Sequence, residues 1–560
     1  MQKKKSSKFA FLTAVTLLVA LLSACSSYGN QSSEQAATDP AQLYKNGYSA
    51  PFENGKYTEP VKMTTYGCYG ADTKFKNSDE NYETNNPATK WFKDHLGIDI
   101  QYVWTSLNDN GACNTKMTLA IASGEELPDV VAAGDPQIVS QLIETGQFMD
   151  VSEVFNKFAS EKYKAISEKY PEIWLQATMN GTKYGIPLAS DPYGNDNTLY
   201  IRDDWMKKFN LSAPKTLDDL SHMLDVFTNQ DPDGNGKKDS YGLSIGTKDG
   251  FVAGFASTDW IFGAYGTIPE TWMKGPDGSL HYGSIQPGAK QALATLRDWY
   301  QKGYIDPEIA IHDSSKAAES VTSGKTGVIS GPYWLPIWPL PDLTKNVPGA
   351  TIAPYPLPVG PDGKAGRTTG KALNNIVLIN KKYSHPDAVM VLLNKGLENS
   401  DRDKGSDVEF GFQEGYDYTL DNDGKPMKSN DIRFDKMMFS GFPQSPDRNL
   451  DSLAYLSGGG APRDSFDLAN MTSQGAFKPA AVIQSQLDAG IKNEFMGSPT
   501  PTMKEKKEAL RKMELEVYTK IIYGKEPIEA FDDFVAKWKS SGGDQITQEV
   551  NDWYKAAMGK

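Results

Sequence analysis

Hydrophobic positions change period repeatedly along the chain, and the changes mark out alternating strands and helices. From Val61 the pattern predicts a strand at Val61–Tyr66, a helix near Pro87–His95, a strand at Ile98–Trp104, a helix over Lys116–Ala122 and a strand at Asp129–Ala132. Such alternation implies an α/β protein with parallel strands. It resumes further on with a strand at Thr198–Ile201, an amphipathic helix at Thr216–Thr228, a strand at Tyr241–Ile245 and a helix at Gly288–Lys302. Short apolar runs at Val328–Ser330 and Ile376–Ile379 read as strands, and Pro386–Asn394 reads as a helix with proline in its first turn. Residues 340–370, rich in Pro and Gly, read as loop. The C-terminal third is mainly helical, with helices expected at Met503–Ile522, Glu529–Lys539 and Ile546–Ala557.

Ahead of this body the composition is different. Lys3, Lys4, Lys5 and Lys8 precede an apolar run from Phe9 to Leu22, which ends in Leu22-Ser23-Ala24-Cys25. The run is short for a membrane-spanning helix, which needs about 20 apolar residues, and it has the layout of an export signal. Its end resembles the lipobox of bacterial lipoproteins, which implies cleavage after residue 24 and diacylglycerol, with further palmitate, on Cys25. The competing reading is an ordinary secretory signal with an incidental cysteine. Residues 26 to about 57, rich in Ser, Gln, Ala and Asn, read as a flexible tether.

Charge and composition narrow the partners. A net charge of −13 with a pI near 5.1 argues against nucleic acid, whose phosphates need clustered Lys and Arg. Mean hydropathy of −0.51 describes a water-soluble body, with no second long apolar run. Beyond Cys25 only Cys68 and Cys113 remain. In an oxidising compartment they either pair or stand as two separate thiols.

The sharpest local chemistry is Asp231-Pro-Asp233-Gly-Asn235-Gly-Lys237-Lys-Asp239. Oxygen side chains fall at relative positions 1, 3, 5 and 9, with glycine at 6 and the Lys237 carbonyl at 7, a spacing suited to Ca²⁺. Position 12 is Gly242, where an EF-hand supplies a bidentate Glu. The reading is a structural Ca²⁺ site joining a helix to a strand, set against a plain turn. Asp421-Asn-Asp423-Gly lacks the later acid and reads as a metal-free hairpin turn.

Catalytic signatures are missing from the sequence: the five histidines show no zinc spacing, and no GxSxG, P-loop or strand-linked GxGxxG occurs. Aromatic residues instead cluster beside Gly, Pro and Asp in loops, at Tyr66 to Tyr69, Asp191-Pro-Tyr193, Asp259-Trp260-Ile-Phe262 and Gly331-Pro-Tyr333-Trp334 to Trp338. Flat ring faces suit the C–H face of a sugar, and neighbouring polar groups suit its hydroxyls. Trp260, Tyr333 and Trp334 are the leading stacking candidates, with Tyr69, Tyr193 and Trp338 behind them. Trp91, Trp174, Trp299, Trp538 and Trp553 fall in helical periodicity and read as core.

Several stretches in order resemble the family 1 solute-binding proteins of sugar ABC transporters, in particular the long lipoproteins of Gram-positive bacteria known as the LplA or LipO type. They are Leu119 to Val130 (LAIASGEELPDV), Gly181 to Pro187 (GTKYGIP), Leu199 to Trp205 (LYIRDDW), Pro214-Lys-Thr216, the Asp231 loop with Tyr241-Gly242, Ser323 to Gly327 and Gly360 to Gly363, followed by Trp538 to Tyr554. The resemblance implies a two-lobed fold of the type II periplasmic-binding-protein kind, each lobe a sheet flanked by helices, with a hinge and a central cleft. Chain crossovers are then expected near Gly185–Asn197 and Gly370–Asn375. The lobes would be discontinuous: 58–190 with 371–440, and 191–370 with 441–560. Oligosaccharide binding in the cleft is implied, with Gly331-Pro-Tyr333 similar to the aromatic platform of maltose-binding proteins and with Tyr69 and Asp135 at strand ends that supply polar contacts. Asp191 joins this set from the first crossover. The implied role is a monomeric, non-enzymatic binder anchored outside the cell membrane, handing sugar to an ABC permease. A surface-attached polysaccharide-degrading enzyme and a solute-sensing lipoprotein are the alternatives.

Overall fold

The computed structural model describes residues 47–70, 75–107, 111–422, 426–428 and 441–558. The expected signal sequence, Cys25 and most of the tether lie outside them. Two large hydrophobic cores, with two smaller buried clusters beside them, organise the rest. The first draws Val61, Ile98, Val131 and Ile186 together with Val377, Ile379 and Leu393. The second collects Leu199, Ile201, Leu243 and Val328 with Leu293, Leu296, Tyr518 and Ile522. Each core is built from chain segments far apart in sequence.

In the first lobe Val61–Tyr69 and Ile98–Leu107 pair in parallel, from Val61 opposite Ile98 to Tyr69 opposite Leu107. The neighbouring sheet places Leu373–Ile379 between Val130–Ala133 and Gly185–Ala189, antiparallel to both. Asp129 ties the two sheets, accepting from the Thr64 N–H at 2.8 Å and its hydroxyl at 2.6 Å. In the second lobe the order is Tyr241–Ser244, Thr326–Gly331, Thr198–Arg202 and Ile352–Tyr355, with one parallel and two antiparallel pairings. The expectation of parallel strands is therefore corrected to mixed sheets. Leu373–Ile379, which returns to the first lobe after the second, runs against both its neighbours.

The predicted helices form, generally a few residues longer than their apolar periodicity. Thr216 opens Leu217–Asn229 with a capping box, its hydroxyl accepting from the Asp219 N–H while Asp219 accepts from the Thr216 N–H. Asp135 caps Pro136–Glu144 through bonds from the Gln137 and Ile138 N–H groups. Residues 340–370 are not all loop: Pro341–Asn346 is a helix and Ile352–Tyr355 an edge strand. An edge position tolerates Pro354, which has no N–H to give a ladder.

Three chain segments pass between the lobes and lie side by side. Ser190 donates to the Ala372 carbonyl at 3.2 Å, Gly370 to the Pro192 carbonyl at 3.0 Å, and Gln444 to the Ala189 carbonyl at 2.9 Å. Gly370 is needed for that approach, since a Cβ there would fall 2.4 Å from the Pro192 carbonyl oxygen. Below the bundle, Arg367 and Asp196 form a buried pair, Nε to Oδ2 at 2.9 Å, with Thr369 donating to the other carboxylate oxygen at 2.8 Å. Among the described residues no helix is long and apolar enough to cross a membrane.

Candidate functional site

Two cavities adjoin the crossover bundle, each walled by both lobes. One, of about 660 Å³, has Asn399, Arg402 and Asp417 on the first-lobe side and Tyr333, Trp334 and Asn449 opposite. The other, of about 580 Å³, runs from Pro136, Tyr170 and Gln176 across Gly370 and Lys371 to Trp272 and Arg511. The first is the more polar in character, and it holds the aromatic pair expected from the sequence.

Strand Thr326–Gly331 delivers that pair. The strand ends at Gly331, Pro332 turns the chain, and Tyr333 drops onto Leu450, Leu453 and Ile483. Its hydroxyl donates to Asp191 Oδ2 at 2.8 Å and accepts from the Asn449 amide at 2.7 Å. The Tyr193 N–H donates to the other oxygen of Asp191 at 2.7 Å. Trp334 is fixed by its indole N–H, which donates to the Gly194 carbonyl at 2.8 Å, and its ring lies edge-on to Phe255. Thus Asp191, Tyr193, Tyr333 and Trp334, four residues expected to share a site, meet at the first crossover. Trp338 adds an exposed ring stacked on Trp334, with centroids 6.3 Å apart.

Burial sets the electrostatics of this cluster. Desolvation raises the Asp191 pKa, against the hydrogen bonds from Tyr333, Tyr193 and Asn449. Desolvation, then the charge of Asp191, hold the Tyr333 hydroxyl well above its ordinary range. Tyr193 is pushed up to about 12, chiefly by burial and then by Asp447. These phenols stay neutral donors and acceptors at any physiological pH. Across the cavity, desolvation raises Asp417, which the Phe412 and Gln413 N–H groups orient at 2.7 and 2.9 Å, and lowers Arg402. Neutral phenols, amides and a fixed carboxylate beside aromatic faces offer the mixture of apolar surface and directed polar groups that a small polar ligand needs.

Three expected residues are placed elsewhere. Trp260 is fully buried in the second core against Trp299, so its ring presents no face to the cleft. Tyr69 stacks on Tyr82, centroids 3.9 Å apart, and lines neither cavity. Asp135 caps a helix, and only its neighbour Pro136 reaches the second cavity. Conversely, no sequence signal singles out Asn449, Arg402, Asp417 or Lys371. Asn449 lies in the first turn of Arg448–Ser457, which returns beside Tyr333 after more than a hundred residues. Nothing in local spacing announces that meeting.

The acidic loop folds as a set of turns. Asp231 accepts from the Asn235 and Gly236 N–H groups, each at 3.0 Å, while Asn235 bridges Asp233 at 2.7 Å and Asp239 at 3.0 Å. Asn235 thereby gathers Asp233 and Asp239 while Asp231 holds the backbone turn, so the three carboxylates do not converge on one point, and Gly234 and Gly236 supply the left-handed backbone of the turns. The residue types suit a hard cation, while Asn235 turns its amide nitrogen, not its oxygen, toward Asp233 and Asp239. A strand, Tyr241–Ser244, follows the loop, so Gly242 is committed to the sheet and adds no ligand.

Comparison with known proteins agrees with this architecture. Residues 76–400, more than half of the chain, match a family profile described as bacterial extracellular solute-binding protein. Lipoprotein LipO of Bacillus subtilis is 24% identical over 495 residues, covering 86% of this chain and 91% of LipO. Among solved structures, the Streptococcus pneumoniae ABC-transporter substrate-binding protein FusA in complex with kestose matches with a TM-score of 0.62 at 16% identity, covering 89% of this chain and 100% of FusA. An EF-hand mutant of FusA with fructo-nystose matches equally, with a TM-score of 0.62, 17% identity and the same coverage.

Proposed function

The chain belongs to the bacterial extracellular solute-binding proteins, and from that premise we propose that it captures an oligosaccharide between its lobes and hands it to an ABC permease. The observation that carries the reading is the cluster of Asp191, Tyr193, Tyr333, Trp334 and Asn449 at the crossovers. A sugar ring resting on Tyr333 and Trp334 in the larger cavity would reach Asn449, Asp417 and Arg402 with its hydroxyls. Because both lobes supply those groups, a bound ligand stabilises the closed arrangement over the open one. The relative FusA, seen with kestose, supports a saccharide as the ligand class. Lobes 58–190 with 371–440 and 191–370 with 441–560 act in this reading as the two jaws, and the chain works by binding, not by catalysis.

Further parts of the reading follow from the sequence. Lipid on Cys25 would hold the protein at the outer face of the cell membrane, as the name of its relative LipO suggests. Ca²⁺ would stiffen the 231–239 loop through Asp231, Asp233, Asn235, the Lys237 carbonyl and Asp239, and the existence of an EF-hand in FusA, known from its EF-hand mutant, supports a cation there.

Titration with a panel of neutral oligosaccharides tests the reading. Tyr333→Ala should weaken the best ligand at least tenfold, about 1.4 kcal/mol, measured at a temperature where the variant is still folded, because removing a ring buried against Leu450, Leu453 and Ile483 also lowers stability. Trp260→Ala should instead destabilise the fold by about 3–5 kcal/mol, as expected for a buried aromatic. Equal saccharide affinity in the parent and the Tyr333 variant would remove the site, and release of shorter products during incubation would favour an enzyme.

A further inference from the structure

The cavity at Lys371 has a charge pattern opposite to that of the molecule. In a chain of net charge −13, four cations, Lys371, Lys492, Lys507 and Arg511, line it against two acids, Glu172 and Glu270. Glu270 is already engaged with Arg511, Oε2 to Nε at 2.8 Å. None of the three lysines has an ion-pair partner among the described residues.

Lys371 follows Gly370 directly, so its side chain rises from the crossover bundle into the cavity. Its ammonium donates to Gln176 Oε1 at 2.6 Å, and Gln176 is itself held by donating from Nε2 to the Gly134 carbonyl at 3.1 Å. The charge is therefore aimed by the first lobe. The surrounding walls strip water from it and lower its pKa, with the charge of Asp135 opposing. A cation that is desolvated and paired only with a neutral amide gains strongly from an anion, because charge-assisted bonds are roughly twice as strong as neutral ones. Tyr170, Trp272 and Phe495 supply ring surface around it.

We propose that this second cavity binds an acidic saccharide, the Lys371 ammonium pairing with the carboxylate of a uronate unit while Lys492 and Lys507 draw the anion in. The saccharide part rests on the oligosaccharide reading above; the anionic part rests on the charges of this cavity alone. A phosphorylated sugar offers similar chemistry, and the Gln176-anchored single ammonium favours the flat, singly charged carboxylate.

The full chain is titrated calorimetrically with a uronic acid trimer, its fully methyl-esterified form and a sugar phosphate. The acidic trimer should bind at least tenfold more tightly than the ester, with an affinity that falls as salt rises. Lys371→Met should cost the acidic trimer about tenfold and leave the ester unchanged, and Lys371→Arg should recover part of the loss. An ester that binds as well as the acid, or an unchanged affinity in a folded Lys371→Met protein, overturns the anion site while leaving saccharide capture in place. Preference for the sugar phosphate overturns the carboxylate assignment. Failure of all three, together with failure of the neutral panel, removes the saccharide reading as well.

Discussion

Glu514 is a carboxyl group with no access to water: its oxygens accept from Ser284 Oγ at 2.7 Å and the Tyr282 hydroxyl at 3.3 Å, deep in the second lobe. Burial pushes its pKa up to about 8. In the unfolded chain the same group titrates near 4.3, so between roughly pH 4.3 and 8 the folded state holds one proton more. Stability contributed at this position is complete at low pH and is lost as pH rises through that window. Glu514→Gln should flatten the fall in melting temperature from pH 5 to 8 and raise it by several degrees at pH 8, in a series of thermal melts. Residue roles of this kind are hard to see in a sequence, because burial is a property of distant partners. Tyr333 is legible from its Gly-Pro neighbours. Trp260 carries a similar acidic, aromatic context and proves to be core, since its helix, Asp259–Gly263, is buried on all sides.

At the scale of elements, periodicity finds several strands of both lobes and the longest helices, misses shorter ones such as Ser152–Phe158 and Glu161–Lys169, and carries no information on direction. Leu373–Ile379 reads as a strand in any orientation; only its return from the second lobe makes it antiparallel. Sequence leaves the pairing of Cys68 with Cys113 open. The structure joins them, Cα atoms 5.9 Å apart, because parallel pairing sets Cys68 opposite Ser106 and the helix Ala112–Ala122 then starts alongside. With a sequence separation of 45, the bond should contribute about 4 kcal/mol by limiting the unfolded chain. Denaturant unfolding of the Cys68→Ser, Cys113→Ser protein should show that loss. The 231–239 loop gives a second test. EDTA should lower the melting temperature, Ca²⁺ should restore it, and Asp233→Asn with Asp239→Asn should erase the response. An unresponsive parent protein would reduce the loop to turns alone.

For the whole molecule, closure is a balance between open and closed jaws, and contacts made only across the cleft shift it. Lys504 on Pro501–Ile522 reaches Glu144 at the end of Pro136–Glu144, Nζ to Oε1 at 2.9 Å, joining the second lobe to the first. Both side chains are partly exposed, so the pair is worth at most about 1 kcal/mol. Lys504→Glu should therefore weaken ligand binding up to about fivefold at low salt and enlarge the radius of gyration in solution scattering. Adding Glu144→Lys should reverse both effects. The two-lobed plan itself is legible from motif order, since neither composition nor periodicity reports which segments share a core.

The crossovers also set a timetable. The middle strand of the first lobe, Leu373–Ile379, lies in the chain after nearly all of the second lobe's sheet has been passed. A chain emerging from its N-terminus thus presents Val130–Ala133 and Gly185–Ala189 with an empty lane between them until the chain has run on through the second lobe's sheet. Until that lane is filled the first lobe cannot close its core, and its apolar edges are open to mispairing. Completion of the first lobe therefore waits on synthesis of the second, and the two lobes cannot mature one after the other as independent units.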